Sequence, residues 1–268
     1  MQQWRIEQPR SLDLEGVRRL NVRIVEGSVD VVGRTEDAET GAAHVEISEV
    51  QGTLQLTLDG DTLTIAHERL TWGGLLDWVG GRRTRAVVSV SVPHDAPVEL
   101  GVVAADAVIS GITAPTKVKS VSGEVTLDGV RSDITAQTVS GDLESRGLAG
   151  SLDFTTVSGD LTVVDGASAR VRAKTVSGDM TLDLDVPRDG SIELSSVSGD
   201  LTLRLPETAG LQVEVKTMSG DLDSAFGAVT AERTPGRAVL RGRVGDGNGR
   251  LRAKTVSGGV TLLRRVPA

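Results

Sequence analysis

"KTVSGDMTL", residues 174–182, decides the fold of this chain, because six near-copies of its central phrase accompany it. They are Val121-Ser122-Gly123-Glu124, Val139-Ser140-Gly141-Asp142, Val157-Ser158-Gly159-Asp160, Val197-Ser198-Gly199-Asp200, Met218-Ser219-Gly220-Asp221 and Val256-Ser257-Gly258-Gly259. With Val176-Ser177-Gly178-Asp179 included, the glycines step by 18, 18, 19, 21, 21 and 38 residues. The last interval is twice 19, so a degenerate copy is expected in "AVLRGRV", near Gly242. Ile109-Ser110-Gly111 reads as a partial copy that starts the series. A fixed period near 20 marks a solenoid of stacked units.

The interior of each unit says which kind of solenoid. Alternating segments such as "VRAKT", "IELSS" and "LRAKT" precede the phrase, and "DMTL", "DLTL" or "GVTL" follows it. Alternation is the mark of strands with one buried face, and no helical period is sustained. Each unit therefore reads as two strands joined at Ser-Gly, with copies stacked about 4.8 Å apart. A single copy cannot bury its apolar face, whereas a stack makes one core. The expected fold is all-β: a single-domain β-solenoid of two-strand rungs over residues 101–268. It continues an irregular N-terminal β region (17–100), which follows an N-terminal arm (1–16).

Parity assigns roles within the phrase. Val171, Ala173, Thr175 and Ser177 share one parity, so the core side tapers from large to small towards the bend. Serine there is expected to satisfy a backbone group freed by the bend, and glycine to permit a bulge or positive φ. The structural bend is thus Ser122-Gly123, Ser140-Gly141, Ser158-Gly159, Ser177-Gly178, Ser198-Gly199, Ser219-Gly220 and Ser257-Gly258. Val121, Val139, Val157, Val176, Val197, Met218 and Val256 fall on the opposite parity, beside residues such as Lys174 and Lys254. Either they form an outward apolar ladder, or the bulge shifts parity and tucks them inside.

The chemistry-bearing residues do not assemble into a site. Calcium needs 6 to 8 converging oxygens, whereas the Asp column offers one carboxylate per rung. Those Asp side chains are expected to accept backbone hydrogen bonds, and "GDGNGR" (245–250) reads as a hairpin turn. The three histidines, His44, His67 and His94, precede the main run of repeats, and seven equivalent serines cannot each have a base. No G-x-S-x-G elbow or phosphate loop occurs at them. No catalytic residue, cofactor or metal is expected.

Composition agrees with many short strands joined by tight turns. Of 268 residues, 38% are hydrophobic, only 2% are aromatic and 32 are glycine, so the core rests on Val, Leu and Ile. Without cysteine there is no disulfide or thiolate framework. The net charge of −8 argues against general nucleic-acid binding, and the short basic runs "GGRRTR", "RAVLRGR" and "LLRR" read as solvated strand ends. The N-terminal sequence lacks an apolar signal segment, which makes a cytoplasmic location the expectation. The Trp-rich insertion at 70–85, "LTWGGLLDWVGGRRTR", interrupts the strand pattern. It is either a lid on the β stack or a docking patch formed by Trp72, Leu75, Leu76, Trp78 and Val79. As a patch it would contact a protein, or touch a membrane peripherally.

With "LNVRIVEGSVDVVG", then "AVVSVSVPHDAPVELGVVAADAVISG", then serial "VSGDLTL", the chain resembles the DUF4097 family of bacterial adhesin-like β-repeat proteins, also called toastrack domains, over about residues 18–265. The "LTWGGLLDWVGG" insertion resembles the version in actinobacterial members. The resemblance implies a twisted β-solenoid without catalytic residues. The functional expectation is a protein-binding scaffold inside the cell, with a self-assembling filament or a surface adhesin as alternatives. Charge and proline in "LLRRVPA" would blunt the last edge strand against filament growth.

Overall fold

The computed structural model describes residues 1–67 and 84–266, and among them every regular element is a strand. The chain divides into two compact units, Met1–Asp128 and Gly129–Ala268. Leu75, Leu76, Val79 and the tryptophans Trp72 and Trp78 lie outside the described residues.

The first unit contains β1 (Gln2–Ile6), β2 (Arg10–Leu14), β3 (Arg19–Arg34), β4 (Ala43–Gln51) and β5 (Leu54–Asp59). It continues with β6 (Thr62–His67), β7 (Arg85–Pro93), β8 (Val98–Ser110), β9 (Thr116–Ser122) and β10 (Val125–Asp128). One wall runs β1–β5–β6–β3–β8–β9, and the other β2–β4–β7–β3–β8–β10. Long β3 and β8 serve both walls without a break in the strand. β3 changes wall at Gly27, where φ is +125° and an added Cβ would lie 1.9 Å from the Ala86 carbonyl oxygen. The rungs thus begin with β3, well before Ile109-Ser110-Gly111, which closes the end of β8 instead of opening the series. Residues 1–16 add edge strands to both walls.

In the second unit the chain forms β11 (Ile134–Thr138), β12 (Leu143–Arg146), β13 (Leu152–Thr155), β14 (Leu161–Ala167) and β15 (Arg170–Lys174). Next come β16 (Met180–Asp185), β17 (Ser191–Ser195), β18 (Leu201–Pro206), β19 (Leu211–Ser219) and β20 (Leu222–Ser224). The last strands are β21 (Val229–Thr234), β22 (Arg237–Val244), β23 (Gly249–Ser257) and β24 (Val260–Arg265). The first wall is β11–β13–β15–β17–β23–β19–β22–β21, parallel up to β19 and antiparallel beyond it. The second wall, β12–β14–β16–β18–β24–β20, is parallel throughout. Alternate residues such as Val171, Ala173, Leu182, Leu203, Leu251 and Leu262 are buried, so the β-solenoid read from the period is the fold.

The rung order differs from the sequence order. The last rung, β23 with β24, slides between the rung of β17 and β18 and that of β19 and β20. β24 is therefore an interior strand, and its charges are not needed to blunt an edge. "AVLRGRV" is no degenerate copy: it lies in β22, antiparallel to β19. Nor is "GDGNGR" a hairpin turn, since the strands it joins flank β19 on opposite sides. The long interval of 38 residues holds a closing hairpin rather than two repeats.

Charge explains why this order is comfortable. In sequence order, Glu193 of β17 would face Glu214 of β19; the inserted Arg252 separates them. Like charges directly opposite on neighbouring strands are destabilising, and opposite ones favourable. Asp183 of β16 adds a clasp, because Arg204 of β18 and Arg265 of β24 both donate to its carboxylate. Burial of Asp183 works to raise its pKa, but the two guanidinium bonds outweigh it and hold the carboxyl below the usual range.

At each corner the chain passes from one wall to the other, and neighbouring backbones touch. A Cβ on Gly178 would sit 2.1 Å from the Gly159 carbonyl oxygen, one on Gly199 2.1 Å from that of Gly178, and one on Gly258 2.2 Å from that of Gly199. No real side chain fits those spaces. Gly258→Ala is expected to destabilise the fold by about 3 kcal/mol, since overpacking against backbone cannot relax by a rotamer change. The neighbouring exposed Ser257→Ala is expected to cost no more than about 0.5 kcal/mol. Urea unfolding of both variants checks the contrast.

Candidate functional site

The repeated phrase is a corner with three outward columns. Val139, Val157, Val176, Val197, Val256 and Met218 stack in that spatial order in the second unit, and Val121 has the same setting in the first. These seven side chains are 44% to 62% exposed, so the bend does not tuck them inside. Thr138, Thr156, Thr175 and Thr255, one residue earlier, are buried as parity requires. The serines depart from the parity reading: Ser140, Ser158, Ser177, Ser198, Ser219 and Ser257 are exposed. Two successive residues face outward because the chain is turning the corner there, and simple alternation fails at that point. Backbone bonds hold the turn, with the Ser177 N–H donating to the Val157 carbonyl at 2.8 Å and the Gly178 N–H to the Ser198 carbonyl at 3.2 Å.

The Asp column is structural, and each carboxylate reaches to the next rung. Asp142, Asp160 and Asp179 accept the backbone N–H of Asp160, Asp179 and Asp200 at 2.8 Å. Asp200 accepts the Gly259 N–H at 2.7 Å, which again places the last repeat next in the stack. Among the described residues no group of three or more His, Asp or Glu side chains could hold a metal ion.

Of the histidines, His44 pairs with Asp13, Nδ1 to Oδ1 at 2.6 Å, and Ser91 is opposite it on β7. The row Asp13–His44–Ser91 has the residue types of a hydrolytic triad, but no hydrogen bond joins His44 to Ser91. The separations of 31 and 47 residues hide this row in the sequence. His67 is buried on β6, and its Nδ1 accepts the Val25 N–H at 3.1 Å.

Sequence reasoning missed a basic face on the first wall of the second unit. Across β15, β17, β23, β19 and β22 one outward row reads Arg170–Ser191–Arg250–Gln212–Arg243. The next is Arg172–Glu193–Arg252–Glu214–Arg241, with alternating charge. A third begins Lys174–Ser195–Lys254–Lys216. Glu193 pairs with Arg172 at 3.2 Å, and Glu214 with Lys216 at 2.6 Å and Arg241 at 3.7 Å. The Lys216 hydrogen bond, helped by the charges of Lys216, Arg241 and Arg252, holds the Glu214 carboxyl below its usual range. An open cavity of about 580 Å³ lies on this face, lined by Gln212, Glu214, Arg241, Arg243, Arg250 and Arg252 among others. The outward positions of "RVRAK" and "RLRAK" signalled the charge, but only the rung order brings them together.

Fold and surface together define a β-solenoid of stacked corner rungs with ordered outer columns. The chain belongs to the Toastrack DUF4097 family, whose model matches residues 20–263. Among solved structures it is similar to a "putative adhesin" of Bacteroides fragilis NCTC 9343, at 11% identity and a TM-score of 0.53, covering 96% of this chain and 98% of that one. A "putative adhesin" of Parabacteroides distasonis ATCC 8503 is 12% identical with a TM-score of 0.45, over 96% of this chain and 97% of that one. A search of the curated proteins finds no match.

Burial pushes the His67 imidazole down to about 4 from 6.5. Between those values the unfolded chain takes a proton that the folded one refuses, so the stability His67 contributes is complete above pH 6.5 and is lost as pH falls towards 4. The full loss is about 3 kcal/mol. Asp183 acts below that window, since its lowered pKa makes it lose stability only in the acid carboxylate range. Thermal melts from pH 7 to 4 are expected to fall less steeply for His67→Gln than for the native chain.

Proposed function

We infer that the protein is a non-enzymatic interaction module, a scaffold that docks a protein partner along the Val/Met corner column. The observation that carries this reading is the solvent-facing column itself: an apolar residue at every corner, although that position is free to be polar. A continuous apolar stripe on a protein surface marks an interaction site more often than a scatter of single apolar residues does. The stripe repeats at rung spacing, so an extended partner segment with apolar residues in sequence suits it. Family membership supports the β scaffold.

The test is a triple variant, Val157→Asn, Val176→Asn and Val197→Asn. Exposed sites of this kind shift stability by about 0.5 kcal/mol or less each. The melting temperature is therefore expected to change by only a few degrees, while quantitative affinity capture loses the partners retained by the native chain. Unchanged capture by the folded variant would remove the corner column as the docking surface.

A further inference from the structure

We propose that the outer face of β15, β17, β23, β19 and β22 docks flat against a bilayer rich in anionic phospholipid, the cavity among Arg241, Arg243, Arg250 and Arg252 seating a headgroup phosphate. Three observations carry it: the size of the charge surplus, the lack of internal partners for it, and its layout in two dimensions.

The five strands present ten Lys and Arg side chains outward against two carboxylates, Glu193 and Glu214. That is a surplus of eight positive charges in a chain whose net charge is −8, so the remainder of the molecule carries the whole negative balance. Within these five strands the outward carboxylates are confined to the central row, and the two flanking rows hold only basic or neutral residues. An anionic plane attracts this face and repels the others, which fixes the orientation of approach.

The central row spends its charge internally, on alternating Arg and Glu. The flanking rows do so only at Lys216, which pairs with Glu214 at 2.6 Å. Arg170, Arg250 and Arg243 have Ser191 and Gln212 between them, and none of the three makes an ion pair within 4 Å among the described residues. The same holds for Lys174 and Lys254. Like charges held on one sheet face repel, and they persist at a cost that an external anion removes. Guanidinium groups suit phosphate because their planar fork donates to two oxygens at once.

The layout selects the kind of anion. Cations sit mainly on β15, β23 and β22, alternate strands about 9.6 Å apart, and recur every second residue, about 6.8 Å, along each strand. This is a planar lattice several tracks wide, which matches the two-dimensional array of headgroups in a bilayer. A single polynucleotide strand would engage one track. Single-stranded nucleic acid is also gripped through aromatic stacking, and these five strands carry no aromatic residue. The exposed corner residues Val176, Val197, Val256 and Met218 follow Lys174, Ser195, Lys254 and Lys216 by two positions, so an apolar border adjoins the basic face.

Vesicle co-sedimentation with the intact chain tests the proposal. Vesicles of phosphatidylcholine with one quarter phosphatidylglycerol are expected to retain the protein at low salt and release it at high salt. Pure phosphatidylcholine vesicles are expected not to retain it. Arg243→Glu with Arg250→Glu changes the row that has no carboxylates, and should weaken retention about tenfold or more. Arg243→Gln with Arg250→Gln, a milder change, should weaken it in the same direction should the first variant fail to fold. Arg10→Glu with Arg19→Glu makes the same charge change elsewhere and should leave retention within about twofold. Equal loss in that control, retention by neutral vesicles, or tighter binding to duplex DNA than to anionic vesicles would each overturn the proposal. So would competition by inorganic phosphate at concentrations too low to matter through ionic strength, which would mark a site for free phosphate.

Discussion

The structure depends on one close approach: at the corners of Gly123, Gly159, Gly178, Gly199, Gly220 and Gly258 a glycine backbone lies against the carbonyl of the rung beside it. With a Cβ at Gly178, Gly199, Gly220 or Gly258 that carbonyl would be met at 2.0 to 2.2 Å, so these four corners cannot stack as they do unless the residue is glycine. Everything else in the phrase follows from the contact. Thr before the corner is the last side chain small enough to stay inside the converging walls, and Val and Ser are turned outward because two residues are needed to round the bend. The Asp carboxylate then reaches across to the backbone N–H of its neighbour's Asp, closing the ladder from outside. What looks like the surroundings of a nucleophile is the solution to a packing problem, repeated because rungs must match.

A ladder of identical corners leaves the rung order undetermined, since any copy could lie beside any other. Order is set by what differs between copies. Arg252 lies between Glu193 and Glu214, Arg265 reaches Asp183, and the antiparallel β21–β22 hairpin takes the place on β19 that another parallel rung would occupy. The insertion also hides the final strands inside the walls, where they present no free edge. The same event assembles the basic face, because β23 brings three cations into a wall that would otherwise alternate more evenly. Folding order and surface chemistry are in this sense one feature.

Much of this was legible in the sequence. Period, alternation and the Ser-Gly corner led to a stack of two-strand rungs, and the Asp column was read as a set of backbone acceptors. Two things were not legible, for physical reasons. Strict alternation placed Ser177 with Thr175 inside, but parity holds only along a straight strand and the chain curves between those residues. Chain order suggests stacking order, and the period alone makes "AVLRGRV" look like a missing copy. Rung spacing carries no information about which rungs are neighbours, and the basic face remained hidden with it. Membership of the Toastrack DUF4097 family agrees with the β-solenoid fold.

The inserted rung is the claim on which both the fold and the basic face rest, and the cysteine-free chain allows it to be tested without background. Facing residues of adjacent strands meet the Cα separation a disulfide requires, about 4.4–6.8 Å, whereas strands two apart do not. The decisive measurement is oxidation of two double variants, Glu193→Cys with Arg252→Cys and Glu193→Cys with Glu214→Cys. The account predicts a rapid intramolecular disulfide in the first and none in the folded second. A disulfide joining positions 193 and 214, with none between 193 and 252, would contradict it.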